Sequence, residues 1–260
     1  MSTQQKNAAQ EEASAKDEAK NIFTEFSRSR SAKKGVRFLN TYRAMPVSFS
    51  GEILDVSDEG IALFSATALQ IASMKLNGMT HIHGETLSQP VKALIREGST
   101  NPYKEQVLIR ARDVKYSKSG VGDRKVIRVE PEQPIEGEVH TSTGGRYLDI
   151  FITDIGLGGI GAFASVKDVV KIRQNNKAAL AMGEVVSVKY FLPLNVSDTL
   201  NLFCDGVIRS LIKTQDNKCR IGIELNLDVD ELTILKDYLG NRQRELVAEL
   251  RAISHGGPAR

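Results

Sequence analysis

The sequence predicts a mainly β protein: two small antiparallel β-barrels of split-barrel type in tandem, with an N-terminal helix and a long C-terminal helix. Three observations predict it. Two series of short segments alternate apolar and polar residues between turn formers, the pattern of half-buried strands. A small, polar, Gly-rich segment, Ser117–Asp123, separates the two series. Both ends of the chain carry apolar residues at helical spacing. The chain has 260 residues, 41% of them hydrophobic, which is enough apolar material for a core in each of two modest domains.

Residues 1–34 form a polar tail and a helix. Ala, Glu, Lys and Gln dominate, and helix propensity is good from about Glu11 to Ser27. Ala15, Ala19, Ile22, Phe23 and Phe26 recur as a thin apolar stripe, so this helix docks on something. Residues 35–119 form the first barrel. Pro46–Ser50 and Glu52–Val56 precede the turn Asp58-Glu59-Gly60, and Ile61–Phe64 follows it. A short helix fits about Thr67–Met74. Further strands fit Met79–His83, Gln89–Arg96 and Val107–Tyr116.

Residues 120–228 form the second barrel, with strands at Ile135–Thr141, Tyr147–Asp154, Gly159–Ser165, Val185–Phe191, Leu200–Thr214 and Cys219–Leu225. Lys167–Met182 holds a short helix or a long loop. Residues 229–260 are the closing helix and its tail. Leu232, Leu235, Leu239, Leu246, Leu250 and Ile253 make one apolar face. Asp228 or Asp230 caps its start, and Gly256-Gly257-Pro258 ends it.

Composition narrows the function. Thirty-five basic residues against 32 acidic leave a formal charge of +3. No long basic run concentrates that charge, so nucleic acid is not expected as a partner. Trp is absent and aromatics are 6%, which leaves few stacking platforms. The N-terminus lacks the apolar core of a signal peptide, and no apolar segment approaches the roughly 20 residues of a membrane span. Cys204 and Cys219 flank the hairpin turn Gln215–Lys218, which sets Cys219 opposite Thr214 and far from Cys204. Two reduced thiols fit a cytoplasmic location. His81 and His83 share a strand face without a third ligand nearby, so exposed histidines are expected there and a metal is not. Lys33-Lys34 and Arg242–Arg244 read as solvated charge. No catalytic set is visible at any spacing, which points away from an enzyme.

Two short motifs carry chemistry. Arg124 and Arg128 lie four apart in Asp123-Arg124-Lys125-Val126-Ile127-Arg128, directly after the Gly-rich segment. Asp154-Ile155-Gly156-Leu157-Gly158-Gly159 sits at a strand–turn–strand junction. A guanidinium is a planar fork of donors that fits two phosphate oxygens or the acceptor edge of guanine, and it stacks on a purine face. A carboxylate matches the N1–H and N2–H₂ donors of guanine. Glycines let a flat base approach the backbone. Together these parts suit a guanine nucleotide and include no catalytic group.

Arg124-x-x-x-Arg128 followed by Asp154-x-Gly156-x-x-Gly159 resembles the paired signature of PilZ domains, RxxxR and then [D/N]xSxxG, and the likeness spans about residues 120–228. The resemblance implies a PilZ-like β-barrel that binds cyclic di-GMP and needs no cofactor or metal. It implies that Arg124 and Arg128 clamp phosphates and guanine bases, and that Asp154, Gly156 and Gly159 form the base-reading turn. Gly156 departs from the pattern by replacing the usual serine, a loss of about 1 kcal/mol if that hydroxyl made an ordinary hydrogen bond. Asp55-Val56-Ser57-Asp58-Glu59-Gly60 carries the complete second half of the signature, serine included, but its upstream basic residues Lys33, Arg37 and Arg43 do not complete the first half. Asp55, Ser57 and Gly60 are therefore a degenerate second site in a divergent PilZ-like barrel, similar in placement to the N-terminal domain of flagellar-brake proteins. The implied function is a cyclic di-GMP receptor that rearranges its two domains on binding and acts on a flagellar, secretion or polysaccharide partner in motility or biofilm formation. The alternatives are a degenerate scaffold that binds protein without nucleotide, or a tandem-PilZ regulator on DNA.

Overall fold

The computed structural model describes residues 3–117, 127–141, 147–175, 180–193 and 199–255. By contacts the chain divides into two compact units. The first runs through Tyr42, resumes at Pro46 and adds the chain from Leu246; the second comprises Arg43–Met45 and Val126–Glu245.

The first unit opens with α1 (Thr3–Ser31), longer at both ends than its propensity predicts. Its apolar stripe explains why it docks: Ala19, Ile22, Phe23 and Phe26 are buried in the core, while Ala15 stays exposed. Phe26 meets Phe64 edge-on at 5.3 Å between centroids, and Phe64 meets Phe38 at 5.5 Å, a favoured geometry for aromatic pairs. One sheet has the order β2 (Met45–Gly51), β1 (Val36–Tyr42), β5 (Met79–Gly84), β6 (Val91–Leu94), β9 (Val114–Tyr116). The other has β3 (Ile53–Ser57), β4 (Ile61–Ser65), β8 (Gln106–Arg110), β7 (Thr100–Asn101). A capping box of Thr67 and Gln70 starts α2 (Ala68–Asn77), and Gly78 in the left-handed region ends it.

The first unit does not form a closed barrel among the described residues: no ladder joins its two sheets there. The chain bends from one to the other at Gly51–Glu52 and again at the 3₁₀ turn Ala111–Asp113. At Gly51 a Cβ would stand 2.6 Å from the Phe38 ring and 2.7 Å from the Ser65 carbonyl, so only glycine permits the first bend. The predicted strand Val107–Tyr116 is interrupted by the second.

The second unit closes. β12 (Tyr147–Gly156), β11 (Ile135–Thr141), β14 (Val185–Pro193), β15 (Thr199–Lys213), β16 (Lys218–Asn226) and β13 (Gly159–Ser165) pair in that order, and β12 also pairs with β13. The alternation predicted from sequence holds: Val186, Val188, Tyr190 and Leu192 of β14 and Cys219, Ile221, Ile223 and Leu225 of β16 are buried. Short β10 (Arg128–Val129) adds to the outer edge of β12, and α3 (Val166–Asn175) follows β13. Cys219 stands opposite Lys213, one residue from the expected register, because Thr214 instead closes the turn by donating to the Lys218 carbonyl. Both cysteines are free and buried.

The closing helix α4 (Val229–Ser254) starts with Asp228 Oδ1 accepting from the Glu231 amide at 2.8 Å, while Glu231 accepts from the Asp228 amide at 2.9 Å. Arg242 is a correction to the reading of solvated charge. It is 4% exposed, and its Nε donates to the Glu130 carbonyl at 3.0 Å while Nη1 pairs with Glu245 at 2.8 Å. No helix is long and apolar enough to cross a membrane among the described residues.

Candidate functional site

Asp154 owes its position to a bulge. Leu148, Ile150 and Ile152 of β12 face the core, and at a period of two Asp154 would follow them inward. Instead the register shifts: Ile152 is opposite Ala162, but Asp154 is opposite Gly161. The extra residue turns the carboxylate to the outer wall of the barrel, as bulges beside functional sites commonly do. Thr153 Oγ1 donates to the Gly161 carbonyl at 3.3 Å across the bulge.

Two arginines meet that carboxylate. Arg128 pairs through its backbone strand with Gly156, and its Nη1 lies 2.6 Å from Asp154 Oδ1. Arg220 projects outward from β16 between inward-facing Cys219 and Ile221, and its Nη2 lies 3.4 Å from Oδ2. The Asp154 side chain is only 10% exposed, against 31% for Arg128 and 52% for Arg220. A carboxylate that far from water needs such partners. One negative charge between two positive ones leaves a local surplus of one positive charge.

The glycines shape the ground around it. Gly161 lies directly beneath Asp154, and any Cβ there would overlap the carboxylate. Gly222 is its neighbour on β16, and the Ser210 hydroxyl fills the space a Cβ would take there. Gly159 has φ +152°, and a Cβ there would overlap the Ile223 carbonyl. Gly156 has a different reason: a Cβ would stand 2.6 Å from the Ile127 carbonyl and 2.8 Å from Arg128 Cγ. The space a serine would occupy is filled by β10 itself. Gly156 thus seats Arg128, and that side of it is closed to a base.

Of the residues singled out from sequence, Arg128, Asp154, Gly156 and Gly159 come together on the second unit, and Arg124 lies outside the described residues. Arg220 belongs to no motif; only the barrel register brings it to Asp154. Asp55, Ser57 and Gly60 form a turn on the first unit. Asp55 follows a bulge of its own, between Ile53 and Asp55, and pairs at 3.0 Å with Arg30 of α1. Ser57 Oγ accepts from the Ile61 amide at 3.3 Å, and Gly60 turns with φ +75°. A groove of 690 Å³ runs between α1 and this turn, lined by Lys16, Lys20, Phe23, Ser57, Gly60 and Arg112 among others.

His81 is buried, not exposed as expected, and burial lowers its pKa below the usual 6.5. No cluster of three His, Cys, Asp or Glu side chains is placed to hold a metal among the described residues. Burial pushes the Cys204 thiol up to about 12, which makes it a packing group and a poor nucleophile.

No family model matches the chain, and no curated protein does. Solved structures do resemble it. The Bacillus subtilis inhibitor of motility (MotI/DgrA) has a TM-score of 0.41 and 11% identity over 82% of this chain and 97% of that one. YcgR from Escherichia coli in complex with c-di-GMP has a TM-score of 0.40 and 12% identity over 88% and 92%. The PilZ domain of the same YcgR, with c-di-GMP, has a TM-score of 0.35 and 16% identity over 47% and 93%. Scores this low leave the geometry of Arg128, Asp154 and Arg220 to carry any functional conclusion.

Proposed function

We propose that the second unit is a PilZ-type receptor for cyclic di-GMP and that the protein signals by binding, without catalysing a reaction. The observation that carries this reading is the 2.6 Å approach of Arg128 to Asp154. The two halves of the signature are far apart in sequence, yet a cation for phosphate and an acceptor for guanine stand side by side on one wall of the barrel. Binding then works by exchange. The ligand's phosphates draw the guanidinium away from Asp154, and guanine N–H donors replace it on the carboxylate. Each interaction given up is of the same charge-assisted kind as the one gained. Arg124, just upstream, is the second arginine that holds the ligand in this reading. Binding changes how the two halves of the chain are arranged, and the altered surface engages a motility, secretion or polysaccharide partner.

A scaffold that binds protein without nucleotide is the second reading. One observation favours it: Asp154 already has two guanidinium partners. Calorimetric titration of the full chain with cyclic di-GMP separates the two. The receptor reading expects saturable heat that Arg124→Ala and Arg128→Ala each abolish. Absence of heat with the wild-type chain favours the scaffold.

A further inference from the structure

We propose that Arg220 is a third ligand-holding arginine of this site, kept in readiness by Asp154; the inference rests on the receptor reading above. Charge is the first argument. Neighbouring cations of the same barrel pair one to one, Arg209 with Glu224 and Lys218 with Asp216. Arg128 and Arg220 instead share one carboxylate, so the pair carries a positive charge that an anion can balance.

Geometry is the second argument. Arg220 stands opposite Phe163 on β13, two rungs from the Gly161–Gly222 pair and on the same face of the sheet. Its guanidinium reaches Asp154 along this wall, where the Asp154 carboxylate lies over Gly161 and the Ser210 hydroxyl over Gly222. Its contact is the looser of the two, 3.4 Å against 2.6 Å, and its side chain is the more exposed, 52% against 31%. A long, half-exposed ion pair holds weakly and is readily exchanged. The adjoining Phe163 ring gives a flat apolar surface beside the cation, and Lys218 already lies over it at 5.9 Å. A planar cation and an aromatic ring next to a carboxylate suit a purine nucleotide with its phosphate toward Arg220. A small inorganic anion would use only the charge.

The test is calorimetry of the full chain with cyclic di-GMP at two ionic strengths, using wild type, Arg220→Ala, Arg220→Lys and, as a control on the far side of the barrel, Lys189→Ala. Thermal melts check that each variant folds. The expected result is an affinity about tenfold lower for Arg220→Ala, the usual worth of one charge-assisted contact, with a flatter salt dependence. Arg220→Lys falls between, and Lys189→Ala matches wild type. If wild type binds and Arg220→Ala binds as tightly with the same salt response, the third-arginine assignment is overturned while the receptor stands. If wild type gives no heat, both fall.

Discussion

The turns at Asp55 and Asp154 share one backbone grammar and differ in what comes across to meet them. In each, a bulge precedes the aspartate and frees it from the inward alternation of its strand. In the first unit the aspartate is exposed and takes one exposed arginine from a helix. The serine that completes the motif is spent on its own loop, where Ser57 Oγ receives the Ile61 amide. In the second unit the aspartate is nearly buried and takes two arginines from sheet strands. The complete motif is thus the locally satisfied one, and the incomplete motif holds the cationic setting. A short pattern of this kind specifies a hairpin; the chemistry depends on the strands laid beside it.

That contrast can be broken at several points. The largest effect is expected at the turn glycines. Gly159→Ala drives a Cβ into the Ile223 carbonyl and should cost about 4 kcal/mol or prevent folding of the second unit, read by urea denaturation. Gly60→Ala meets only the Ala111 methyl at 2.9 Å, with φ +75°, and should cost about 1–2 kcal/mol. Equal costs would mean that the two turns are less different than their surroundings suggest.

Next come the ion pairs. Arg128→Ala strands a nearly buried carboxylate on the remaining 3.4 Å contact and should cost about 2 kcal/mol. Arg30→Ala removes an exposed pair and should cost less than about 1 kcal/mol. The serine swap sharpens the contrast further. Gly156→Ser restores the familiar residue but pushes on Ile127 and Arg128, so it should destabilise by about 1–3 kcal/mol and weaken nucleotide binding. A gain in affinity would show that β10 yields to the side chain.

The smallest effect is the pH response of the first unit. His81 is held neutral with its pKa below 6.5. Below pH 6.5 the unfolded chain takes up the proton first, so this contribution is fully present above that pH and is lost as the pH falls through the lowered value. Denaturation midpoints should decline on acidification, and His81→Gln should flatten the decline.

Much of the second unit was legible because strands such as β11, β14 and β16 alternate inward and outward residues; strands Ile135–Thr141 and Gly159–Ser165 fall where their sequence puts them. The first strand, Val36–Tyr42, was missed. Its inward face is Val36, Phe38, Asn40 and Tyr42, and the buried Asn40 breaks the apolar period. The open first unit was read as closed because strand count carries no information on ladder closure. Half of the site was legible through its motifs. Arg220 was not, since a lone arginine in a strand looks like any solvent-facing residue until register places it. Arg242 did carry a signal: it falls in the gap between Leu239 and Leu246, on the buried stripe of α4. The reason for Gly156 was beyond reach, because β10 is two residues long and leaves no periodic trace.

The most direct test of the central claim is amide hydrogen exchange of the full chain with and without cyclic di-GMP. The account predicts ligand protection at Arg128 and its flanking strand, at Asp154–Gly161 and around Arg220, with the Asp55–Ile61 turn unchanged. Protection confined to that first-unit turn, or none anywhere, would contradict it.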